Sequence, residues 1–277
     1  MNQYVFDAII QNPKQSHKFR VALFICMMTR SRTGTIMPED EFARAEILYA
    51  QGDYEEALSA WEGAERNSPG SLNNWYKKGV ALRKLGRHKE AIIALEEALK
   101  QNQRDADAWR MHASSLNQVG RSSLAVQSCK KALAIDPYNA RTWIIRGFAL
   151  HSLGRYEEAV ESYARAIELN PLGADGRRAW NNRGAALDNL HRHEEAIESY
   201  EEAIMIDPFD IYAWNNKGVA LGALARHEEA LQCFQKAIEI EKEYATAWKN
   251  LGVAYKSLNR DAEADEASRR AREFGLV

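Results

Sequence analysis

Six tryptophans set the frame of this chain. Trp75, Trp109 and Trp143 lie 34 residues apart, and Trp180, Trp214 and Trp248 keep the same interval. A fixed 34-residue period confines the chain to stacked copies of one small supersecondary unit, since a piece of that size cannot bury an apolar face without a neighbour. With tryptophan at position 4, seven repeats begin at Pro38, Leu72, Ala106, Ala140, Arg177, Ile211 and Ala245, the first carrying Glu41 in its place.

Two columns of the repeat are uniform. Position 20 is alanine throughout (Ala57, Ala91, Ala125, Ala159, Ala196, Ala230, Ala264), and so is position 27 (Ala64, Ala98, Ala132, Ala166, Ala203, Ala237, Ala271). Position 8 is always small: Ala45, Gly79, Ala113, Gly147, Gly184, Gly218 and Gly252. Glycine inside a helix costs about 1 kcal/mol relative to alanine. A close approach of two helices is therefore expected there, with a large neighbour filling the gap. Positions 4, 8 and 11, such as Trp143, Gly147 and Leu150, follow the i, i+4, i+7 spacing of one helix face. Positions 20, 24 and 27, such as Ala159, Tyr163 and Ala166, repeat the pattern on a second helix. Leu153-Gly154-Arg155 marks the turn between them, and Ser68-Pro69, Asp136-Pro137, Asn170-Pro171 and Asp207-Pro208 close the second helix.

Tryptophan at 4, a small residue at 8, alanine at 20 and 27, aromatic residues at 24 and proline at 32 make residues 38–277 resemble the tetratricopeptide repeat family. The resemblance implies an all-α fold, a right-handed α-solenoid of seven helix-turn-helix repeats, with first helices lining a concave groove and second helices on the convex side. The repeats occupy residues 38–71, 72–105, 106–139, 140–173, 177–210, 211–244 and 245–277. It also implies a non-enzymatic scaffold that engages a protein or peptide partner and carries no cofactor.

Some positions depart from the pattern. His191, Ala225 and Asn259 stand where the turn glycine is expected, and Gln103 and Lys242 replace two closing prolines. The step from the fourth repeat to the fifth is 37 residues, because Ala174-Asp175-Gly176 are extra; they read as a lengthened surface loop or as a hinge. Residues 1–37 form an N-terminal extension, either a helical cap around Val21–Cys26 or a weakly ordered terminus. Ser268 at position 24 and the run Arg269-Arg270-Ala271-Arg272 suit a last helix that faces water.

Composition excludes several function classes. The 37 basic and 39 acidic side chains leave a formal charge of −2, which gives no general field for nucleic acid or an anionic membrane. The longest apolar run, Val21–Met28, has eight residues where a membrane span needs about 20. Cys26, Cys129 and Cys233 are far apart, without CxxC spacing, and fit a reducing, cytoplasmic setting better than a disulfide framework or a zinc site. No phosphate-loop, nucleophile-elbow or HExxH motif occurs. His191 and His193 make an HxH pair, but His88, His193 and His227 share position 17 with Tyr54 and Tyr156, so they read as equivalent packing residues and not as metal ligands. Glu157-Glu158, Glu194-Glu195 and Glu228-Glu229 recur at the start of the second helix, where carboxylates suit the helix dipole and offset a row of arginines at position 16.

Function is expected in the groove. The family geometry turns positions 2, 5, 6, 9, 12 and 13 of each first helix toward it. Asn182, Asn216 and Asn250 occupy position 6 of the last three repeats; Asn181, Asn215 and Lys249 precede them at position 5. A carboxamide offers both a donor and an acceptor, so such a ladder suits the peptide groups of an extended chain. The same asparagines also read as a habitual helix start satisfied by water or backbone. In the fourth repeat Arg141, Ile144 and Phe148 read as a pocket for one anchoring side chain. The expected role is a cytoplasmic adaptor holding an extended peptide segment of a partner. The alternatives are self-association into a homo-oligomer and service as the regulatory subunit of a separate enzyme.

Overall fold

A computed structural model describes residues 38–67 and 74–275. The N-terminal extension, with Val21–Cys26, and the Ser68-Pro69 closure lie outside the described residues. Among the described residues there are fourteen helices and no strands, in two compact units divided between Gln103 and Arg104. The first unit holds α1 (Pro38–Gln51), α2 (Tyr54–Asn67), α3 (Trp75–Lys84) and α4 (His88–Gln101). The second holds α5 (Ala106–Gln118), α6 (Ser122–Ile135), α7 (Ala140–Ser152), α8 (Tyr156–Leu169), α9 (Gly173–Asn189), α10 (His193–Ile206), α11 (Ile211–Ala223), α12 (His227–Ile240), α13 (Ala245–Ser257) and α14 (Asp261–Glu273). Odd-numbered helices are the first members of each repeat, and every second helix opens on the position-17 residue, including His88, His193 and His227.

The small residue at position 8 meets the side chain at position 24. A Cβ on Gly147 would stand 2.6 Å from the Tyr163 ring, one on Gly184 2.5 Å from Tyr200, and one on Gly218 2.6 Å from Phe234. Gly79 meets Leu95 in the same way in the first unit. Tyr163 and Tyr200 are buried as a result, and the alanines at positions 20 and 27 beside them are buried too. In the second unit Ile144, Tyr163 and Ala186 belong to one core cluster and Leu187, Tyr200, Leu221 and Phe234 to another, with Val160 packed on both, so the core runs without a break from α7 to α14. In the first unit Trp61, Leu58, Leu82 and Ala91 form the core.

The turn inside each repeat needs one residue in the left-handed region. Gly86, Gly120 and Gly154 supply it with φ of 74°, 75° and 71°. His191, Ala225 and Asn259 take φ of 58°, 58° and 56° at the same place, so the packing on either side imposes the conformation even without glycine.

The loop expected at Ala174-Asp175-Gly176 is helix. α9 starts at Gly173 and runs 17 residues, against 13 for α7 and α11. At position 34 Asp105, Asn139 and Asp210 cap the next helix by accepting from Ala108 N–H at 2.9 Å, Thr142 N–H at 3.1 Å and Tyr212 N–H at 3.0 Å. Gly173 offers no such cap and Tyr244 makes none, yet the helix after Tyr244 starts at Ala245, so the extra turn of α9 comes with the three added residues. That turn carries Asp175, which accepts from Arg141 Nε at 2.8 Å, and Gly176, whose lack of a Cβ admits the Pro171 carbonyl.

The last described helix is more polar on one row. Positions 21 and 28, which hold buried or half-buried Val160 and Ile167, Ile197 and Ile204, and Leu231 and Ile238, become exposed Asp265 and Arg272 in α14.

Two glycines four residues apart on α11 should respond oppositely to alanine. Gly218→Ala collides with Phe234 and should destabilise by ~1–3 kcal/mol, whereas Gly222→Ala meets nothing within 4 Å and should stabilise by ~0.5–1 kcal/mol. Ala225→Gly relieves the left-handed strain and should stabilise by ~0.5–1 kcal/mol. Urea midpoints measure all three, and a Gly218→Ala protein as stable as Gly222→Ala would contradict the packing account.

Candidate functional site

The first helices of the second unit bring the groove asparagines together, but with one another. Asn250 Nδ2 donates to Asn215 Oδ1 at 2.9 Å, Asn215 Nδ2 to Asn216 Oδ1 at 3.4 Å, and Asn216 Nδ2 to Asn181 Oδ1 at 3.3 Å. Position 6 of one repeat thus bonds to position 5 of the repeat before it. Asn215 is only 4% exposed, so the pairing satisfies an amide that water scarcely reaches. The expected ladder of free carboxamides is in this respect corrected: three helices are stitched by a chain of side-chain amides. Asn182 is the exception, half-buried with no hydrogen bond among the described residues. Lys249, at position 5 of the last described first helix, is exposed.

The pocket expected from Arg141, Ile144 and Phe148 does not form. Ile144 is 6% exposed and belongs to the core, because position 5 is the seam between first helices. Arg141 is held by Asp175. Phe148 at position 9 remains open to solvent at 47%, and so do Val219 at 46% and Val253 at 60%, which occupy position 9 in the sixth and seventh repeats. Tyr212 on the same face is also exposed. Among the charges of this face, Asp107 is taken by Arg110 and Asp188 by His193 and Tyr200, while exposed Arg178, Lys249 and Lys256 stand without an ionic partner.

The histidines serve packing and positioning. His193 Nδ1 lies 2.9 Å from Asp188 Oδ1, and Tyr200 Oη donates to Asp188 Oδ2 at 2.8 Å. Burial, reinforced by the Asp188 carboxylate, pushes the Tyr200 phenol well above its ordinary pKa. His151 Nε2 sits 3.2 Å from Asn189 Nδ2, and burial lowers its pKa. Asp188, Asn189, His191, His193 and Val219 border an open cavity of about 380 Å³. Among the described residues no three His, Cys, Asp or Glu side chains converge as metal ligands would. Cys129 and Cys233 are free thiols in the core, and burial raises their pKa to about 12 and about 11.

On the opposite side the position-16 arginines pair with position-19 glutamates three residues on. Arg155 Nε and Nη2 reach Glu158 at 2.6 and 2.7 Å, and Arg192–Glu195, Arg226–Glu229 and Arg260–Glu263 repeat the geometry. Each glutamate pKa falls chiefly through that hydrogen bond. Arg121 lacks this partner because Leu124 replaces the glutamate.

Motif scanning missed the column at position 7. It reads Arg44, Lys78, His112, Arg146, Arg183, Lys217 and Leu251. Cations from this column lie over the ring of the period-setting tryptophan, at 4.9 Å for Lys78 on Trp75 and 5.5 Å for Arg146 on Trp143. The tryptophan is in turn fixed by its indole N–H, which Trp143 donates to Pro137 O and Trp214 to Pro208 O, both at 2.9 Å. A lysine or arginine three places after Trp75, Trp143, Trp180 and Trp214 was the available signal.

Models of the tetratricopeptide repeat match residues 42–101 and 76–140, and 140–171, 178–210 and 211–244. The chain belongs to the tetratricopeptide repeat family. Among solved structures, a MamA protein is similar at 28% identity, with a TM-score of 0.55 over 62% of this chain and 92% of that one. A tetratricopeptide repeat protein from Parabacteroides merdae ATCC 43184 is 17% identical, with a TM-score of 0.69 over 86% of this chain and 93% of that one. YrrB, described as a TPR protein with an unusual peptide-binding site, is 24% identical, with a TM-score of 0.53 over 66% of this chain and 92% of that one. No curated protein matches the chain.

Asn215→Ala removes the centre of the amide chain and leaves half-buried Asn216 and Asn250 without that partner, so it should cost ~1–3 kcal/mol. Asn182→Ala should stay within ~0.5 kcal/mol of the parent. Thermal melting followed by circular dichroism separates them, and equal melting temperatures would show that the amide chain carries no stability.

Proposed function

We propose that the first-helix face of repeats four to seven binds an extended peptide segment of a partner protein. The tetratricopeptide repeats make the chain a protein–protein interaction scaffold, and this face is one on which apolar side chains remain uncovered. The observation that carries the reading is the exposure of Phe148, Val219 and Val253 at one repeat position, a helical turn from the asparagine seam. The three stand in water in repeats four, six and seven, and repeat five has the small Ala185 between them.

The polar part of the face supports the same reading. Asn182 has both its donor and its acceptor free, and the bonded asparagines keep lone pairs for a peptide N–H. Arg178, Lys249 and Lys256 give the face a local positive character that the net charge of −2 conceals, which favours acidic segments. The description of YrrB as a peptide binder of related fold agrees with a peptide occupant.

The test uses an array of random-sequence peptides and the chain carrying Val219→Asp and Val253→Asp. Both side chains are exposed, so helicity should be unchanged, while retained peptides should weaken by ~10-fold or more. Retention equal to that of the parent protein would sink the assignment to this face.

A further inference from the structure

Repeats four, five and six each fill one slot with a cation of their own. Arg146 lies 5.5 Å from the Trp143 ring, Arg183 5.6 Å from Trp180 and Lys217 6.0 Å from Trp214. Across the slot, Ser162 Oγ accepts from Arg146 Nη1 at 2.6 Å and Ser199 Oγ from Arg183 Nη1 at 2.7 Å. Lys217 pairs instead with Glu201 of the preceding second helix at 2.7 Å. Burial lowers the Arg183 pKa, and Glu195 and Glu198 oppose that effect. The walls are therefore positions 4, 19, 22 and 23 of one repeat and position 25 of the repeat before it.

Repeat seven keeps the tryptophan and the glutamates at positions 19 and 22, replaces the serine by Ala267 and Glu201 by Gln235, and lacks the cation. Position 7 is Leu251, and a cavity of about 530 Å³, open to solvent, remains between α12, α13 and α14. Its lining includes Trp248 at position 4, Glu263 at 19, Glu266 at 22, Ala267 at 23 and Gln235 at position 25 of the sixth repeat, with Tyr255 beside them. We propose that this slot receives an arginine side chain of a partner protein, entering where repeats four and five use their own.

The walls suit the two parts of an arginine side chain: Ile238, Leu251 and Ala262 offer an apolar floor to its aliphatic stem, and the Trp248 indole with Glu263 and Glu266 suits its planar cation. Glu263 already holds Arg260, and Glu266 holds Arg269 and Arg270. Sharing of this kind is present in the filled slots, since Glu158 holds Arg155 and is also drawn down by Arg146. Gln235 Nε2 donates to Tyr255 Oη at 3.3 Å and Arg260 lies 4.5 Å over the Tyr255 ring, so the rim is already positioned. The slot involves two second helices and stands apart from the asparagine face, so either assignment survives failure of the other.

The full-length chain is titrated with the peptide acetyl-Gly-Arg-Gly-amide while the Trp248 indole N–H, assigned with Trp248→Phe, is followed by NMR. Citrulline and norleucine peptides serve as neutral and apolar comparisons. Binding in the millimolar range is expected, with both comparisons at least ~10-fold weaker. Leu251→Arg supplies the cation within the chain and should abolish the shift while raising the melting temperature. Glu266→Gln should weaken binding by ~3–10-fold without altering the melt, which keeps the test decisive should Leu251→Arg fail to fold. Norleucine binding as tight as arginine, unaltered binding by folded Leu251→Arg or by Glu266→Gln, or no Trp248 shift at ~20 mM arginine peptide would each overturn the proposal.

Discussion

The approach of the two helices of a repeat at positions 8 and 24 governs most of what surrounds it. With no Cβ on Gly147, Gly184 or Gly218, the rings of Tyr163, Tyr200 and Phe234 lie flat against the first helix. The alanines at positions 20 and 27 are then buried on the second helix, where anything larger would push the pair apart. The exchange of volume is local. In the third repeat Ala113 faces the smaller Cys129, and in the seventh Gly252 faces Ser268, whose Oγ would be 3.2 Å from an added Cβ.

That contact also explains why the turn keeps its shape when its residue changes. Ala225 has no side-chain group to compensate a φ of 58°, yet it adopts it. Helices held in register on both sides leave the connecting residue one way round, and tertiary packing outweighs local preference. Asp105, Asn139 and Asp210 at position 34 cap the helices that follow, and Tyr244 at the same position precedes a helix that starts on time without a side-chain cap, so the early start at Gly173 follows from the added residues. The three extra residues are accommodated by helix, and α8 and α9 remain packed in one compact unit.

The period, the turns and the close approach at the small position-8 residue were legible in the sequence because each depends on spacing within one repeat. The misassignments share another origin. Ile144 and the asparagines at positions 5 and 6 lie at the seam between first helices, so their surroundings are set by residues about 35 positions away. Ile144 and Asn215 occupy the same column and are both buried, one by its chemistry in the core and one through hydrogen bonds. Reading position 7 beside the tryptophan column would have revealed the cation slots.

The formal charge of −2 is an average over two unlike surfaces. Carboxylates cluster at the start of the second helices, where the helix dipole and the position-16 arginines hold them. The first-helix face retains cations whose nearest acids are already committed. A neutral composition therefore excludes a long-range field without excluding a local one. The amide chain adds rigidity to that face: each bond from Asn250 through Asn215 and Asn216 to Asn181 fixes two rotamers before any ligand arrives. A peptide docking beside it orders fewer side chains, so more of its apolar contact with Val219 and Val253 is retained as affinity. Under the proposed reading, networked asparagines that cannot all reach a ligand would still favour binding, by holding still the surface on which the ligand would lie.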